Sequence, residues 1–224
     1  MEFRHECKHF INLSDLVTLR MRLSAIMPRD PNAGPDGSYT IRSLYFDDLS
    51  DTALREKQDG VCVRDKYRIR YYNGDTSLIH LEKKSKRADL TAKRMTEIAA
   101  DNVRRILRND TAWMAQSRDA LTVEFHTALA RGLIARAVVE YTREPFVFDA
   151  GNVRVTLDHD IRTGMELSRF LEADCVTAPA AGDTAILEVK WDEFLPSVIR
   201  DAVQLGSRRT EAFSKYEVCR MFNY

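Results

Sequence analysis

The stretch "KYRIRYY", Lys66 to Tyr72, decides the fold, and an Asn-Gly pair at 73–74 follows it directly. Its Tyr and Ile residues favour the half-buried surface of a β-strand. Because successive side chains of a strand point to opposite faces, Lys66, Arg68 and Arg70 share one face. Asn-Gly between two β-prone runs predicts a hairpin, and the run "TSLIHLEKKSK" (76–86) supplies its second strand.

The predicted hairpin concentrates positive charge. His80, Glu82, Lys84 and Lys86 share one face of its second strand, and "LTAKRMTEI" (90–98) adds two more cations on an extended segment. A basic face of this kind is either solvated, as most Lys and Arg side chains are, or it binds an anion. Like charges directly opposite each other destabilise a sheet unless an anion compensates them, which favours an anion site.

The composition limits the partners. The chain has 224 residues, 44% of them hydrophobic, and 34 Lys and Arg balance 34 Asp and Glu, so the formal net charge is zero. A sizeable core is therefore possible, and we expect one domain over residues 1–224. A general nucleic-acid binder normally carries a basic surplus, so we expect no nucleic acid partner and a local cationic site.

The cysteines and the hydropathy indicate the cellular compartment. Four cysteines are scattered without a CxxC pair, no signal peptide precedes them, and no apolar run approaches the roughly 18 residues of a membrane span. We therefore expect reduced thiols in a cytoplasmic protein that has no membrane span of its own.

The rest of the chain alternates between strands and helices. Hydrophobic periodicity and turn residues predict strands at 2–11, 38–48, 135–149, 152–162 and 185–193. They predict helices at 12–27 with Ser14 as N-cap, and at 49–60, 101–109, 111–133, 196–206 and 214–222, with an irregular region near 164–183. The predicted fold is α+β, an antiparallel β-barrel with flanking helices.

A Glu two residues before a Lys recurs on three strands, in "HECK", "LEKK" and "LEVK". This spacing places a carboxylate beside an ammonium group on one strand face. Polyphosphate suits such a surface, because Arg binds phosphate oxygens bidentately, Lys adds point charges and a carboxylate can hold a divalent metal. A closed barrel with a charged interior would present these groups to a linear polyanion. Neither a GxxxxGK[ST] nor a GxGxxG loop is present.

Seven motifs span nearly the whole chain. In order, they are "YTIRSLYFDD", "KYRIRYY", "LEKKSK", "YTREPFV", "VRVTLDHDIR", "LEVKWDEFLP" and "SKYEVCR". In this series the chain resembles the catalytic domain of the vacuolar transporter chaperone (VTC) polyphosphate polymerases, which belong to the triphosphate tunnel metalloenzymes with the CYTH-type triphosphatases and adenylate cyclases. The resemblance implies a tunnel of antiparallel strands, with basic residues around a nucleotide triphosphate and a glutamate holding Mn²⁺ or Mg²⁺.

The resemblance also implies a set of site residues. The residues expected to act on the transferred phosphate are Arg68, Arg70, Arg143, Arg154 and the metal ligand Glu188. The residues expected to bind substrate are Lys8, Lys66, Lys84, Lys93, Lys190, Ser214 and Lys215. Arg4 stands where the wider superfamily often has a further glutamate, which disfavours a two-metal site. The inositol-phosphate-sensing SPX domain and membrane helices of the eukaryotic complexes are absent from this sequence, so we expect it to act without them.

Several of these residues have a simpler interpretation. Glu188 could serve only as the ion-pair partner of Lys190, two residues away. Asp158 and Asp160 either orient Arg154 and Arg162 or add metal ligands, and we expect the former. Lys83 and Lys86 are expected to be solvated.

Three functions fit the pattern. The first is a polyphosphate polymerase that moves the γ-phosphoryl group of ATP onto inorganic polyphosphate. The second is a tunnel-type triphosphatase with water as acceptor, and the third is a non-catalytic polyphosphate-binding module. The sequence leaves the choice among them open, together with base specificity, metal identity and number, membrane partners and oligomeric state.

Overall fold

The computed structural model describes residues 5–87, 90–205 and 214–222. The strands are β1 (His5–Ile11), β2 (Tyr39–Asp47), β3 (Val63–Tyr72), β4 (Asp75–Arg87), β5 (Leu90–Glu97), β6 (Ile134–Phe148), β7 (Val153–Gly164), β8 (Thr177–Pro179) and β9 (Ala185–Trp191). The α-helices are α1 (Leu13–Ile26), α2 (Thr52–Gln58), α3 (Ala100–Leu107), α4 (Ala120–Ala130), α5 (Ser197–Ala202) and α6 (Lys215–Phe222).

The strands pair in the order β1-β9-β7-β6-β2-β3-β4-β5, and β8 pairs with β7. The predicted α+β fold with an antiparallel sheet is confirmed. The closed barrel is not, because the hydrogen-bonded path between the described strands begins at β1 and ends at β5. Strand β8 lies in the region predicted to be irregular, where three residues are too short a run to show alternation.

The hairpin forms where the sequence predicts it. Asn73 and Gly74 adopt φ angles of 51° and 71°, the left-handed conformations that a two-residue hairpin turn of type I′ requires. The register places Lys66 opposite Lys84 and Arg68 opposite Glu82. On the other side of β4, Lys84 lies opposite Lys93. The predicted basic face therefore extends over three strands.

The chain divides into two compact units, each built from separate stretches of sequence. The first unit comprises Met1–Thr40, Tyr141–Arg162 and Pro179–Lys215, and the second comprises Ile41–Glu140, Thr163–Ala178 and Tyr216–Tyr224. The single domain over residues 1–224 stays a prediction.

In the first unit, α1 packs its apolar stripe against the sheet. Leu16, Leu19 and Leu23 recur at helical spacing and are buried with the inward-facing residues of β7 and β9. The helix begins two residues earlier than Ser14 as N-cap predicts. Asn12 is the N-cap and forms a capping box with Asp15, accepting a hydrogen bond of 2.8 Å from the Asp15 amide.

In the second unit, the apolar face of the hairpin forms the core. Tyr67, Ile69 and Tyr71 are buried with residues from α3 and α4. The helix predicted at 111–133 is two pieces, a 3₁₀ turn over Ala112–Gln116 and then α4. Asp119 causes the restart, because its carboxylate accepts the amide of Thr122 at 2.7 Å as an N-cap.

Candidate functional site

A rung of three lysines crosses the second unit. Lys66 on β3, Lys84 on β4 and Lys93 on β5 lie directly opposite one another, so their side chains leave the same face of the sheet. Arg68 and Arg70 continue this face along β3. We name these five cations, with Glu82 between them, the second-unit basic face.

Glu82 is the acid that the basic face surrounds. Its carboxylate is 3% exposed and lies 2.5 Å from Arg68 Nε and 2.5 Å from Lys93 Nζ. Burial disfavours its charge, but Arg68, Arg70 and Lys93 outweigh burial and hold the pKa of Glu82 at about 2. Glu82 therefore lies among cations from two neighbouring strands, two of which contact it directly.

The two arginines are fixed by neutral groups on β2. Arg68 Nη1 donates to the Tyr45 hydroxyl at 3.0 Å, and Arg70 Nε donates to the Ser43 hydroxyl at 2.9 Å. Neutral acceptors orient a guanidinium group without cancelling its charge. Sequence reasoning missed Ser43 and Tyr45, although alternation along β2 places both on one strand face.

Lys66 is the most unusual cation of this face. Burial lowers the pKa of its ammonium group from 10.5 to about 8. The centroid of the Tyr216 ring lies 5.8 Å from Lys66 Nζ, and Tyr45 and Asp47 also favour the charged form. Within the described part of the chain, no carboxylate lies within ion-pair distance of Lys66.

A second charged face lies in the first unit, where β9 runs between β7 and β1. One rung contains Arg154, Lys190 and Glu6, and the next contains Thr156, Glu188 and Lys8. Directly opposite residues point to the same side of a sheet. We name these six residues the first-unit face, and the predicted residues Lys8, Arg154, Glu188 and Lys190 all belong to it.

Glu188 lies at the centre of the first-unit face. Its Oε1 atom is 2.7 Å from Lys190 Nζ, whereas its Oε2 atom lies 3.7 Å from Arg143 Nη2 and 3.9 Å from Lys8 Nζ. Burial would raise the pKa of this carboxyl, but Lys8, Lys190 and Arg143 hold it well below its ordinary value. The predicted ion pair with Lys190 exists, and it occupies only one of the two carboxylate oxygens.

Asp158 has different partners from those predicted. Its carboxylate is fully buried and receives a bidentate pair of hydrogen bonds from Arg143, at 2.6 and 2.7 Å. Lys215 Nζ approaches the same carboxylate at 2.6 Å. Burial opposes the charge on Arg143, but Asp158 outweighs it and raises the pKa of the guanidinium group.

The expected role of Asp158 and Asp160 toward Arg154 and Arg162 is therefore only partly right. Arg154 Nη2 pairs with Asp30 at 2.8 Å and donates to the Tyr39 hydroxyl at 2.9 Å, and Asp160 pairs with Arg162 at 3.3 Å. Asp160 has a φ angle of 48°, a left-handed conformation that interrupts the regular alternation of side chains along β7.

Lys83 is also placed differently from the prediction. It is 6% exposed rather than solvated, and it lies on the opposite side of β4 from Lys84. Its ammonium group contacts Asp65 at 2.7 Å and Glu124 of α4 at 2.5 Å. This pair of acids fixes α4 to the sheet and takes no part in either charged face.

A metal ion held by Glu188 stays a prediction. A small hard cation uses one or two carboxylates and completes its shell with water and substrate phosphates. Glu188 offers its Oε2 atom, whose charged neighbours Arg143 Nη2 and Lys8 Nζ lie at 3.7 and 3.9 Å. Across residues 5–87, 90–205 and 214–222, no cluster of three or more His, Cys, Asp or Glu side chains is arranged as a metal site.

Of the remaining predicted residues, Lys215 contacts Asp158 and Ser214 directly precedes α6. Arg4 lies outside the described residues. In the described part of the chain, no helix is long and apolar enough to cross a membrane.

Solved structures share this fold. The PH1012 protein from Pyrococcus horikoshii is 14% identical, with 97% of this chain and 99% of that chain covered and a TM-score of 0.53. A candidate adenylate cyclase from Vibrio parahaemolyticus is 12% identical over 97% of each chain, with a TM-score of 0.51. Another from Bacillus halodurans is 11% identical over 84% of this chain and 80% of that one, with a TM-score of 0.50. Identities this low show a shared fold alone.

The family is shown by the sequence. The profile of the VTC domain matches residues 3–222, nearly the whole chain. This chain belongs to the VTC domain family, as the seven motifs predict. No curated protein matches it significantly.

Proposed function

We propose that this protein is a metal-dependent polyphosphate polymerase, which transfers the γ-phosphoryl group of ATP to a phosphate or a growing polyphosphate chain. The observation that supports this most strongly is the second-unit basic face, with five cations around one carboxylate. Membership of the VTC domain family adds to it. The substrates are then two polyanions, ATP and inorganic polyphosphate.

In this proposal, phosphate groups of the substrate replace the carboxylate of Glu82 as the partners of Arg68 and Lys93. Arg68 and Arg70 are held by Tyr45 and Ser43, so their guanidinium groups are oriented before a ligand arrives. Lys66, Lys84 and Lys93 add charge along one rung. A phosphate group accepts bidentate hydrogen bonds from Arg and attracts Lys as a point charge. Together, these closely spaced cations would bind several adjacent phosphates.

Catalysis in this proposal is positioning and neutralisation of charge. The acceptor is an anionic phosphate oxygen, so no protein nucleophile is required. In the second unit, Arg68 and Arg70 would offset the charge that develops on the transferred group. In the first unit, Arg143 and Arg154 would have the same role toward a phosphate bound there. When bound at Glu188, Mn²⁺ or Mg²⁺ would supply a Lewis acid that polarises phosphate oxygens. Arg143 is suited to a fixed role, because Asp158 holds it in a bidentate pair.

The side chains at the edge of the first-unit face are suited to a mobile role. The side chain of Lys190 is 34% exposed and that of Arg154 is 35% exposed, so both can turn toward a ligand. Lys8 and Lys215 would add charge from β1 and from the start of α6, beside Ser214. We also propose a cytoplasmic location, which the four free cysteines support.

The test compares an arginine inside the basic face with one outside it. Arg68→Ala removes a phosphate contact, so ATP turnover with Mn²⁺ should fall at least about 100-fold and triphosphate affinity should fall with it. The control is Arg104→Ala, whose guanidinium pairs with Asp101 on the surface of α3 and should keep activity within about twofold. ADP formation and polyphosphate on gels are measured. Near-normal turnover in Arg68→Ala would contradict the proposal.

A further inference from the structure

Thr156 occupies the middle of the first-unit face. On β7 it follows Arg154 and precedes Asp158 at alternate positions, so the three side chains point to one side of the sheet. Its direct neighbour on β9 is Glu188, and Lys8 lies beyond Glu188 on β1. Thr156 is therefore the one uncharged residue in a rung that otherwise contains a carboxylate and an ammonium group.

The hydroxyl of Thr156 has no hydrogen-bond partner among the described residues, although the residue is only 3% exposed. A buried hydroxyl of this kind is unusual, because most buried polar atoms are satisfied, and leaving one unpaired is unfavourable. Thr163, further along β7, shows the ordinary arrangement. It is fully buried and donates to the Val138 carbonyl at 3.2 Å.

The surroundings of Thr156 indicate which partner is missing. The two rungs contain three cations, Arg154, Lys190 and Lys8, and two carboxylates, those of Glu6 and Glu188, so a net positive charge remains to attract an anion to this place. The hydroxyl of Thr156 would add a hydrogen-bond donor of defined direction to the electrostatic attraction of these cations. The hydroxyl oxygen is covered in this structure, so a ligand reaches it only when neighbouring side chains move.

We propose that Thr156 is a further substrate-binding residue, whose hydroxyl donates a hydrogen bond to a phosphate oxygen of the bound triphosphate. This inference rests on the proposed function, and it adds a neutral ligand to a site so far described by its charges. Thr156 would fix the position of one phosphate group relative to Glu188, directly across the rung.

The test separates loss of a ligand from loss of structure. Thr156→Val removes the hydroxyl and keeps the branched shape, and Thr156→Ser keeps the hydroxyl. The matched control, Thr163→Val, removes a hydroxyl that already has a partner. The affinity for tripolyphosphate without metal is measured by calorimetry, and the melting temperature is measured without ligand.

Thr156→Val should weaken tripolyphosphate binding about 10- to 100-fold, as expected for a lost hydrogen bond to a charged group. Its melting temperature should stay unchanged or rise by a few degrees, because an unpaired buried group has been removed. Thr156→Ser should bind within about threefold of the wild type. Thr163→Val should melt at a lower temperature and bind tripolyphosphate normally.

Each other result overturns the inference. If Thr156→Val binds tripolyphosphate as tightly as the wild type, the hydroxyl contacts water only. A lower melting temperature with normal affinity would make Thr156 a structural residue. A loss of Mn²⁺ affinity with unchanged metal-free tripolyphosphate affinity would make it a metal ligand. If the wild type itself does not bind tripolyphosphate, the proposed function fails and this inference fails with it.

Discussion

Replacing Lys66 by methionine should stabilise the protein and weaken its binding of anions. The Lys66 side chain is half-buried, and burial lowers the pKa of its ammonium group from 10.5 to about 8. This difference corresponds to roughly 3 kcal/mol at about 1.36 kcal/mol per pKa unit. Imperfect repacking of the methionine side chain offsets about 1 kcal/mol of it. We expect Lys66→Met to raise the free energy of unfolding by about 2 kcal/mol at pH 7, or the melting temperature by roughly 4–8 °C.

The pH dependence gives this prediction a second signature. Because the folded-state pKa of Lys66 lies below the unfolded-state value, the unfolded chain binds more protons between pH 8 and pH 10.5. The stability of the wild type therefore rises, relative to the variant, as the pH increases through this window. The advantage of Lys66→Met should be full below pH 8 and should disappear above about pH 10.5.

Urea unfolding of the two proteins at pH 7 and at pH 10.5 measures this difference. The control is Lys86→Met, two residues beyond Lys84 on β4, which should change the unfolding free energy by less than about 0.5 kcal/mol. Tripolyphosphate affinity at pH 7 should fall about tenfold in Lys66→Met, because a cation is lost from the rung. A variant that is no more stable than the wild type at pH 7 would refute the cost assigned to burying this ammonium group.

Further predictions concern the metal, the anions and acid. Glu188→Gln should lower metal-dependent ATP turnover by orders of magnitude and preserve or increase metal-free tripolyphosphate affinity, since one negative charge leaves an anion site; near-normal turnover would leave Glu188 as an ion-pair partner only. Saturating tripolyphosphate should raise the melting temperature by roughly 5–10 °C, and chloride at equal ionic strength should do so much less; equal shifts would exclude a specific phosphate site. Burial works against the charge of Glu144, but hydrogen bonds from His159 and Arg20 hold the pKa of its carboxyl at about 2. Glu144→Gln should therefore lower the unfolding free energy by about 3 kcal/mol at pH 7. That difference should close as the pH falls from 4.5 toward 2, and a constant difference in urea midpoint would contradict the assignment.

Local signals in the sequence were sufficient for the hairpin turn and for the side chains that each strand presents on one face. The Asn-Gly pair fixes the turn, and alternation along each strand decides which of its side chains share a face. The register could not be predicted in this way. Counting outward from Tyr72 opposite Asp75 would pair Lys66 with Leu81, whereas an irregularity between Arg70 and Tyr72 shifts the register and places Lys66 opposite Lys84. The break before α4 was also accessible, because Asp119 stands three residues before the amide that it caps.

The ion pairs could not be predicted in the same way. Asp158 pairs with Arg143 and Lys215, which are 15 and 57 residues away, and Lys83 pairs with Glu124, 41 residues away. A single sequence with 34 acidic and 34 basic side chains gives no indication of which distant pairs meet. The missing hydrogen bond of Thr156 was equally inaccessible, because it depends on the complete packing around one rung.

The most direct test of the central claim follows the γ-phosphate of ATP. The purified protein is incubated with γ-³²P-labelled ATP, Mn²⁺ and a short polyphosphate primer, and the label is separated by gel into long chains, orthophosphate and unreacted ATP. We predict that most of the transferred label lies in chains longer than the primer and that it is lost in Arg68→Ala. Label in orthophosphate alone would show a triphosphatase, and label that stays in ATP would show a binding protein; either result would contradict the proposed polymerase.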